Sequence, residues 1–287
     1  MLRPDEKIIV RIFAAVLLKD EITVDLHRSQ IACMKQIPNL FTLLNLMAGS
    51  LAVIFILQTG ETLVSVNDGL AVLNLPEKIA WGSICIGIAA VVDFLDGFVA
   101  RLFKASSPMG KELDSLADVV SFGLAPGMIL YQLLRMSFAQ DENGLNISMA
   151  ALLPALLFPC ASAYRLARFN IDASQQTGFK GVPTPAAGLL VASLPLILLY
   201  NYYDLSRLLL NKWFLYIFIV AASYLMISTL PLIALKSDGR TRSRMPEITL
   251  LLIALLSAIF LKWLAVPVVF LSYIIISLLA SRQPKRL

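Results

Sequence analysis

Four aspartates in one apolar stretch are the residues of this sequence best suited to chemistry. Asp93 and Asp96 lie three positions apart, and Asp114 and Asp118 lie four positions apart. Residues at these spacings share one face of an α-helix. A carboxylate at bilayer depth is costly and normally needs a cation, a proton or water to offset its charge. The two pairs therefore predict a functional site, and a purely structural cluster of ion pairs is the alternative.

A helix break separates the two acidic pairs. Ser107 is a good N-cap residue, and Pro108 suits the first position of a helix. Two helices joined by a short turn can bring their acidic faces together. Because hard divalent cations prefer oxygen ligands, we predict that the four carboxylates form one all-oxygen metal site.

Small residues surround these acids. Gly97 and Ala100 share the helix face of the first pair, and Gly110 precedes Asp114 by four residues. Such residues leave room for a bulky ligand or allow helices to pack closely. Close packing alone accounts for the small residues but not for the acids.

Composition places these residues in a membrane. Hydrophobic residues make up 58% of the chain and charged residues 15%, and the mean hydropathy is +0.78. These values are typical of a polytopic membrane protein. The only histidine, His27, lies outside the apolar region, which excludes a Ser-His-Asp triad and a histidine metal cluster. The chemistry is therefore expected to depend on carboxylates, and we expect no nucleic-acid partner.

The apolar segments predict an all-α helical bundle of about eight transmembrane helices. Their approximate bounds are 38–58, 79–103, 110–136, 147–169, 184–203, 213–235, 246–264 and 266–281. The last two are joined so tightly that a single re-entrant segment is the alternative.

Residues 1–33 differ from the rest of the chain. Charges interrupt their apolar run, which is too short to span a bilayer. We interpret this segment as an extension upstream of a natural start at Met34, and an amphipathic surface helix is the alternative. The remaining chain divides into a membrane domain, 34–236, and a C-terminal part, 237–287, that contains a basic loop and two further spans.

The distribution of basic residues predicts the orientation. Fourteen lysines and arginines fall on one set of loops and ends, and five fall on the opposite set together with the acidic loops 61–77 and 139–146. Because cytoplasmic loops carry the excess of basic residues, both termini and the aspartates are expected at the cytoplasmic side of the cell membrane.

The chemistry-bearing residues form one continuous pattern. The complete pattern is Asp93-x2-Asp96-Gly97-x2-Ala100-Arg101-x8-Gly110-x3-Asp114-x3-Asp118. At every fixed position it resembles the signature of the CDP-alcohol phosphatidyltransferase family. The resemblance implies a six-helix catalytic core, to which the last two spans are appended, and a homodimer.

The resemblance also implies roles for individual residues. Asp118 is the implied general base beside Asp114, and Arg101 neutralises a phosphate or orients an aspartate. The implied ligands of Mg²⁺ or Mn²⁺, as a two-metal site, are Asp93, Asp96, Asp114 and Asp118. The residues implied to contact the CDP moiety are Asn39, Thr42, Gly97, Ala100, Arg101 and Gly110.

A polar stripe opens the first span. Asn39, Thr42 and Asn45 recur every three residues at its cytoplasmic end. Helix capping and interhelical hydrogen bonds are one interpretation, and contact with a nucleotide is the other. The segment resembles the opening helix of the same family, which favours the nucleotide.

Two arginines end the fourth span. Arg165 and Arg168 lie three residues apart, and the rigid turn 178–185 follows them. They either bind the acceptor substrate or anchor the helix at the interface. Three segments resemble those of the branch of the family that uses serine: residues 164–170, which contain the two arginines, the turn 178–185, and residues 118–126.

The reaction implied by this resemblance joins CDP-diacylglycerol and L-serine, giving phosphatidylserine and CMP. One alternative is the same chemistry with another acceptor, such as glycerol 3-phosphate or inositol phosphate, or with an archaeal-type lipid donor. A membrane cation transporter is a more distant alternative, although the sequence shows no internal repeat. Release of CMP that depends on both a lipid donor and an added alcohol distinguishes these possibilities.

Overall fold

The computed structural model is a bundle of apolar helices of membrane-spanning length. It describes residues 38–58, 60–66, 69–75, 78–102, 107–140, 147–171, 179–201, 203–232 and 245–281. Within these ranges five helical stretches are long and apolar enough to cross a membrane, and two shorter apolar helices accompany them. The predicted all-α polytopic membrane fold is therefore confirmed. The extension 1–33 and the basic loop 236–244 both lie entirely outside the described residues.

Most predicted apolar segments coincide with a helix or a continuous run of helices, but the segment predicted at 213–235 is too long, because its helix ends at Ile227 and residues 231–232 form a strand. In chain order these are α1 (Pro38–Leu57), α2 (Ile79–Leu102), α3 (Pro108–Asp118), α4 (Ala125–Phe138), α5 (Met149–Leu152), α6 (Leu157–Ile171), α7 (Thr184–Tyr200), α8 (Ser206–Leu209), α9 (Lys212–Ile227), α10 (Met245–Leu261) and α11 (Ala265–Ser281). A 3₁₀ turn, Leu153–Leu156, connects α5 to α6.

The predicted start of α3 is confirmed in detail. The backbone N–H of Gly110 donates to Oγ of Ser107 over 2.9 Å, and Pro108 occupies the first turn. This cap satisfies one of the orphan N–H groups at the helix start. It fixes where the helix that carries the second acidic pair begins.

A π-helical segment, Val119–Leu124, joins α3 to α4. The N–H of Ala125 donates to the carbonyl of Val120, five residues earlier. Pro126 has no N–H, and in a regular α-helix its ring would clash with the carbonyl of Phe122. The wider π turn relieves this conflict, and it begins immediately after Asp118.

Close contacts between small residues hold the bundle together. Lipid tails are as apolar as leucine, so helices in a membrane associate through van der Waals packing and hydrogen bonds. A Cβ atom at Gly188 would lie 3.0 Å from Cα of Phe122, which is fully buried. A Cβ atom at Gly127 would likewise lie 2.8 Å from the ring of Pro159. These contacts bring α7 against the π segment and α6 against α4, and both of these elements follow Asp118 in the sequence.

Two short antiparallel strand pairs add to the helices. Strand β1 (Gly60–Val66) pairs antiparallel with β2 (Gly69–Leu75), and Val66 lies opposite Gly69. The sequence interpretation treated this segment only as an acidic loop. Further along the chain, β3 (Phe179–Lys180) pairs antiparallel with β4 (Pro231–Leu232).

The last two spans form a helical hairpin. α10 and α11 pack against each other across a 3₁₀ turn, Lys262–Leu264, in which Lys262 has a φ of 50°. The structure therefore contains two helices of 17 residues each in this region, and the choice between two spans and one re-entrant segment stays a prediction. α11 also packs against α7 and β4, which places the C-terminal hairpin against the rest of the bundle.

Candidate active site

Three of the four aspartates form one compact group. Carboxylate oxygens of Asp93, Asp114 and Asp118 lie within 4.8 Å of one another. α2 contributes the first of these residues, and α3 contributes the other two. Asp118 is buried and the others are half-buried. Three carboxylates this close repel each other strongly unless a cation or protons offset their charge.

Asp96, the fourth predicted ligand, lies outside this compact group. The hydroxyl of Thr42 lies 3.1 Å from Oδ2 of Asp96 and donates to it, and it also lies 3.2 Å from the carbonyl of Pro38. Both Thr42 and Asp96 are buried. Helix α1 therefore holds the orientation of Asp96.

Helix α1 also contacts Asp118. Nδ2 of Asn45 donates to Oδ1 of Asp118 over 3.4 Å, and Asn45 is completely buried. The hydroxyl of Ser121, in the π segment, donates to the backbone carbonyl of Asn45 over 3.0 Å. Thr42 and Asn45 of the polar stripe thus form interhelical hydrogen bonds, which is one of the two interpretations of the stripe given by the sequence. Contact of Asn39 and Thr42 with a nucleotide stays a prediction.

The chemistry of the donor set fits a divalent cation. Among the residues that the structure describes, Oδ1 of Asp114 and Oδ1 of Asn45 are buried and have no hydrogen-bond partner. Buried polar atoms are normally satisfied. Oxygens that lack a hydrogen-bond donor and lie beside a cluster of carboxylates are the kind of ligand that Mg²⁺ or Mn²⁺ would bind.

The remaining signature residues lie beside the acids, on α2 and α3. A Cβ atom at Gly97 would have no described neighbour within 4 Å, and Arg101 is exposed in the last turn of α2. Ala100 is half-buried. A Cβ atom at Gly110 would instead lie 2.9 Å from Oδ1 of Asn39. Gly97 therefore leaves open space near the acids, whereas Gly110 allows α1 and α3 to approach closely.

The two arginines of α6 have different surroundings. Arg165 is 6% exposed; its Nη1 donates to Oγ1 of Thr184 over 3.1 Å, and its guanidinium lies 5.6 Å from the ring centroid of Phe169. Arg168 is half-buried and donates to the backbone carbonyls of Ile227 and Ser228 over 2.6 and 3.1 Å. The contacts of Arg168 join α6 to α9, because they satisfy carbonyls at the end of α9. Acceptor binding and anchoring at the interface both stay predictions.

The turn after α6 reaches the same end of α9. The N–H of Val182 donates to the carbonyl of Leu225 over 3.1 Å. Gly181 has a φ of 80°, and a Cβ atom there would lie 2.6 Å from the carbonyl oxygens of Met226 and Ser228. Only glycine fits this close approach without strain. The turn thereby positions Thr184, the hydrogen-bond partner of Arg165.

The end of α6 also holds α3. Nδ2 of Asn170 donates to Oγ of Ser115 over 2.8 Å, and Nζ of Lys111 donates to the carbonyl of Asn170 over 3.3 Å. Ser115 directly follows Asp114 in the chain. These contacts restrain the helix that carries two of the three grouped acids.

Sequence reasoning missed one contributor to the site. Ser121 contacts Asn45 because of the π turn, and the only local signal for that turn is Pro126, which follows it.

An apolar groove begins beside the acids. It has a volume of about 460 Å³ and lies between residues 83–92 of α2 and residues 189–196 of α7, with Trp263 and Val266 also in its wall. Val92, in this wall, precedes Asp93. The groove is within the usual size range of ligand sites, and its lining is suited to a hydrocarbon chain.

Comparison with known proteins agrees with this geometry. Residues 35–221 match the family described as CDP-alcohol phosphatidyltransferase, which is more than half of the chain. The chain belongs to the CDP-alcohol phosphatidyltransferase family. The match includes α1, α2 and α3, which carry the acids and their hydrogen-bond partners, and also α6. The C-terminal hairpin lies outside it.

Several members of the family are similar to this chain, and each is named CDP-diacylglycerol–serine O-phosphatidyltransferase. The Mycobacterium leprae protein is 34% identical over 187 residues, which are 62% of this chain and 58% of the relative. The Helicobacter pylori protein (strain 26695) is 42% identical over 142 residues, 49% of this chain and 55% of the relative. The Methanocaldococcus jannaschii protein is 37% identical over 153 residues, 47% of this chain and 68% of the relative. The chain thus spans between about half and two thirds of these relatives.

Proposed function

We propose that this protein transfers the phosphatidyl group of CDP-diacylglycerol to L-serine, giving phosphatidylserine and CMP. The observation that carries the proposal is the group of Asp93, Asp114 and Asp118, held within 4.8 Å inside the signature of the family. The similar proteins named as serine O-phosphatidyltransferases support the choice of substrates.

Asp118 is proposed as the general base. In the reaction the serine hydroxyl oxygen forms a bond to the phosphorus that bears diacylglycerol, and the bond from this phosphorus to the bridging oxygen of CMP breaks. A carboxylate is a much weaker base than an alkoxide, so Asp118 takes the hydroxyl proton only as the new bond forms. The hydrogen bond from Asn45 fixes the carboxylate in one orientation for this transfer.

The acids are also proposed to hold the metal. Asp93, Asp114 and Asp118, with Asp96 as a further ligand, would hold a divalent cation, whose positive charge would offset that of the pyrophosphate oxygens. Thr42 keeps Asp96 directed within the site through its hydrogen bond. Arg101, exposed at the end of α2, is placed to contact a phosphate of the CDP moiety, which the open space at Gly97 accommodates.

The lipid donor is proposed to enter from the bilayer. The groove between α2 and α7 takes an acyl chain, because it is apolar and begins next to Asp93. Serine then arrives from the cytoplasm, and CMP is released to the same side. Arg165 is the proposed contact for the serine carboxylate, since it is a buried cation whose Nε has no hydrogen-bond partner among the described residues.

Localisation in the cytoplasmic membrane and assembly as a homodimer are part of the same proposal. The excess of basic residues on the aspartate side supports the cytoplasmic orientation. The family resemblance is the support for the homodimer, and the mass of the detergent-extracted protein measured by light scattering tests it.

The test of the function is an acceptor panel with the purified protein. We expect CMP release to require both CDP-diacylglycerol and L-serine, and labelled serine to appear in lipid. Activity with glycerol 3-phosphate or inositol phosphate, and none with serine, would contradict the proposed acceptor. The absence of CMP release with every alcohol would contradict the reaction itself.

The metal requirement is tested with the same assay. Chelation should abolish CMP release, and added Mg²⁺ or Mn²⁺ should restore it. Asp93→Asn and Asp114→Asn should each abolish activity without preventing membrane insertion, because loss of a charge does not impair an apolar span. Glu112→Gln is the matched control, since Glu112 is an exposed acid on the same helix as Asp114. Full turnover in metal-free buffer would contradict the metal site.

A further inference from the structure

The wall of the groove between α2 and α7 offers little to a polar ligand. Ser83 and Ser193 are among its lining residues, but each hydroxyl is bound within its own helix. The hydroxyl of Ser83 donates to the carbonyl of Ile79 over 3.3 Å, and that of Ser193 donates to the carbonyl of Leu190 over 2.6 Å. Most of the other lining residues are aliphatic. A hydrocarbon chain is therefore the ligand that this surface suits best.

The groove extends from the acids toward the C-terminal hairpin. Along α2 it is lined from Val92, beside the acids, to Ser83, a distance of about 13 Å along the helix. α7 begins on the side of the acids, where it contacts the π segment. Beyond its other end the hydroxyl of Tyr203 donates to the carbonyl of Phe260 over 3.0 Å, and the 3₁₀ turn after α10 packs against α7. Trp263, which lies in that turn, is therefore at the end of the groove remote from the acids.

Two glycines of α2 have different surroundings. A Cβ atom at Gly82 would overlap with the side chain of Ile56, so packing against α1 requires this glycine. A Cβ atom at Gly87 would meet no atom of the described part of the chain within 4 Å, and Gly87 lies about midway along the groove wall. Glycine destabilises a helix relative to alanine, and no packing contact requires it here. The space beside Gly87 is therefore available to a ligand.

We propose that Gly87 is a specificity-determining residue for the lipid donor. Its missing side chain lets one acyl chain pass along the groove toward Trp263, and it thereby sets the length of chain that the groove accepts. The inference rests on the proposed function and deepens it by assigning a selectivity for the acyl chain. An acyl chain is favoured over a second copy of the protein as occupant, because the groove begins beside the acids at which the donor reacts.

The physical reason lies in close packing. Lipid tails are as apolar as the groove, so an acyl chain gains from leaving the bilayer only through van der Waals contacts with the wall. A leucine at position 87 would fill the groove about 7 Å from Val92 along the helix. A long chain would then have to bend out into the bilayer and lose the contacts beyond this point. A short chain would end before the obstruction and keep its contacts.

The experiment compares Gly87→Leu with the unsubstituted full-length protein over a series of CDP-diacylglycerols from dioctanoyl to dipalmitoyl. The donors are presented as mole fractions in mixed micelles of one detergent, and CMP release is measured at saturating serine and metal. We expect the KM for the dipalmitoyl donor to rise about tenfold in Gly87→Leu, because the contacts beyond position 87 are lost. The KM for the dioctanoyl donor and the KM for serine should each change by less than about twofold.

Two further variants separate the obstruction from other effects of the substitution. Gly87→Ala adds only a methyl group and should raise the KM for the dipalmitoyl donor less than leucine does. Since alanine favours a helix more than leucine, a larger effect of alanine would assign the change to helix propensity and contradict the proposal. Ala258→Leu adds the same bulk at an exposed position of α10 outside the groove wall, and it should leave the chain-length preference unchanged.

Other outcomes are equally decisive. An unaltered chain-length preference in Gly87→Leu would overturn the proposal, as would an equal rise of the KM for every donor. Loss of activity with every donor, together with a smaller mass by light scattering, would assign the groove to a second copy of the protein instead. Should Gly87→Leu not be recovered folded, Gly87→Met narrows the same point with a more adaptable side chain, and an unaltered preference there contradicts the proposal. Absence of CMP release by the unsubstituted protein with every donor would instead contradict the proposed function.

Discussion

The four aspartates of the signature have different surroundings, and the difference predicts different roles. Asp93, Asp114 and Asp118 are grouped, whereas Asp96 accepts a hydrogen bond from Thr42 of α1. A buried carboxylate that loses its donor is left poorly satisfied and free to rotate. The contribution of Asp96 should therefore depend on Thr42.

Thr42→Val tests this dependence. Valine has nearly the shape of threonine but no hydroxyl, so packing is kept while the hydrogen bond to Asp96 is lost. We expect kcat to fall about tenfold, with a higher concentration of Mg²⁺ or Mn²⁺ needed for half-maximal activity. Thr249→Val, on an exposed part of α10, is the control. Unchanged kinetics and metal dependence in Thr42→Val would show that Asp96 needs no support from α1.

The arginines of α6 give a second prediction at this scale. Arg165→Ala should raise the KM for serine about ten- to a hundredfold, because it removes charge-assisted hydrogen bonds to the acceptor. Arg168→Ala should mainly lower the Tm, because the carbonyls of Ile227 and Ser228 lose their donors. Steady-state kinetics in serine and thermal unfolding of both variants provide the measurement. A large rise in the serine KM of Arg168→Ala with an unchanged Tm would place Arg168 at the acceptor instead.

Helix α1 is the element on which the geometry of the site depends. It provides the partners of Asp96 and Asp118, and its backbone carbonyl at Asn45 accepts from Ser121 of the π segment. The close approach of these elements requires Gly49. A Cβ atom there would lie 2.7 Å from Cα of Ser121, well inside van der Waals contact.

Gly49→Ala should therefore move α1 away from the π segment. Alanine normally favours a helix, so a loss would come from the contact and not from helix propensity. We expect at least about a tenfold fall in kcat and a lower Tm, because the hydrogen bonds of Asn45 and Ser121 lengthen together. Ser50→Ala, the adjacent exposed position, serves as the control. An active and stable Gly49→Ala protein would show that α1 adjusts without cost.

The accuracy of the sequence predictions also differs between elements. Apolar runs bounded by proline and polar residues predicted the helices closely, because the length needed to cross a bilayer constrains them strongly. The cap at Ser107 followed from local preferences alone. The hairpin of β1 and β2 was missed, although Asn67-Asp68-Gly69 between alternating residues is a turn signal. The π turn arises because the ring of Pro126 would clash in a regular α-helix. Rules based on residue spacing do not include such a clash.

Long-range contacts were the least predictable part of the site. Spacing placed the acids on two helix faces and indicated that these faces meet, but it gave no reason to separate Asp96 from the other three. The hydrogen bonds of Thr42 and Asn45 join residues 54 and 73 positions apart. Such pairings follow from tertiary packing, and no periodicity along one helix encodes them.

At the scale of the whole molecule, the order of the helices agrees with the distribution of charge. We expect successive apolar helices to cross the bilayer in alternating directions, which would put Met109, at the start of α3, and Arg207, in α8, on opposite sides. The excess of basic residues lies on the side of Met109, which predicts that this side is cytoplasmic. The proposed reaction needs the same orientation, because serine and CMP are cytoplasmic solutes and the acids lie at that end.

Cysteine labelling in intact cells tests this orientation. The three native cysteines are first replaced by alanine, and this background must retain CMP release. Met109→Cys and Arg207→Cys are then introduced separately, at positions that are both exposed. We expect a membrane-impermeant maleimide to label Arg207→Cys in intact cells and Met109→Cys only after permeabilisation, because the bilayer shields the cytoplasmic side. Labelling of Met109→Cys in intact cells would place the acids outside and would contradict a cytoplasmic active site. Labelling of both before permeabilisation would contradict the alternating path of the helices.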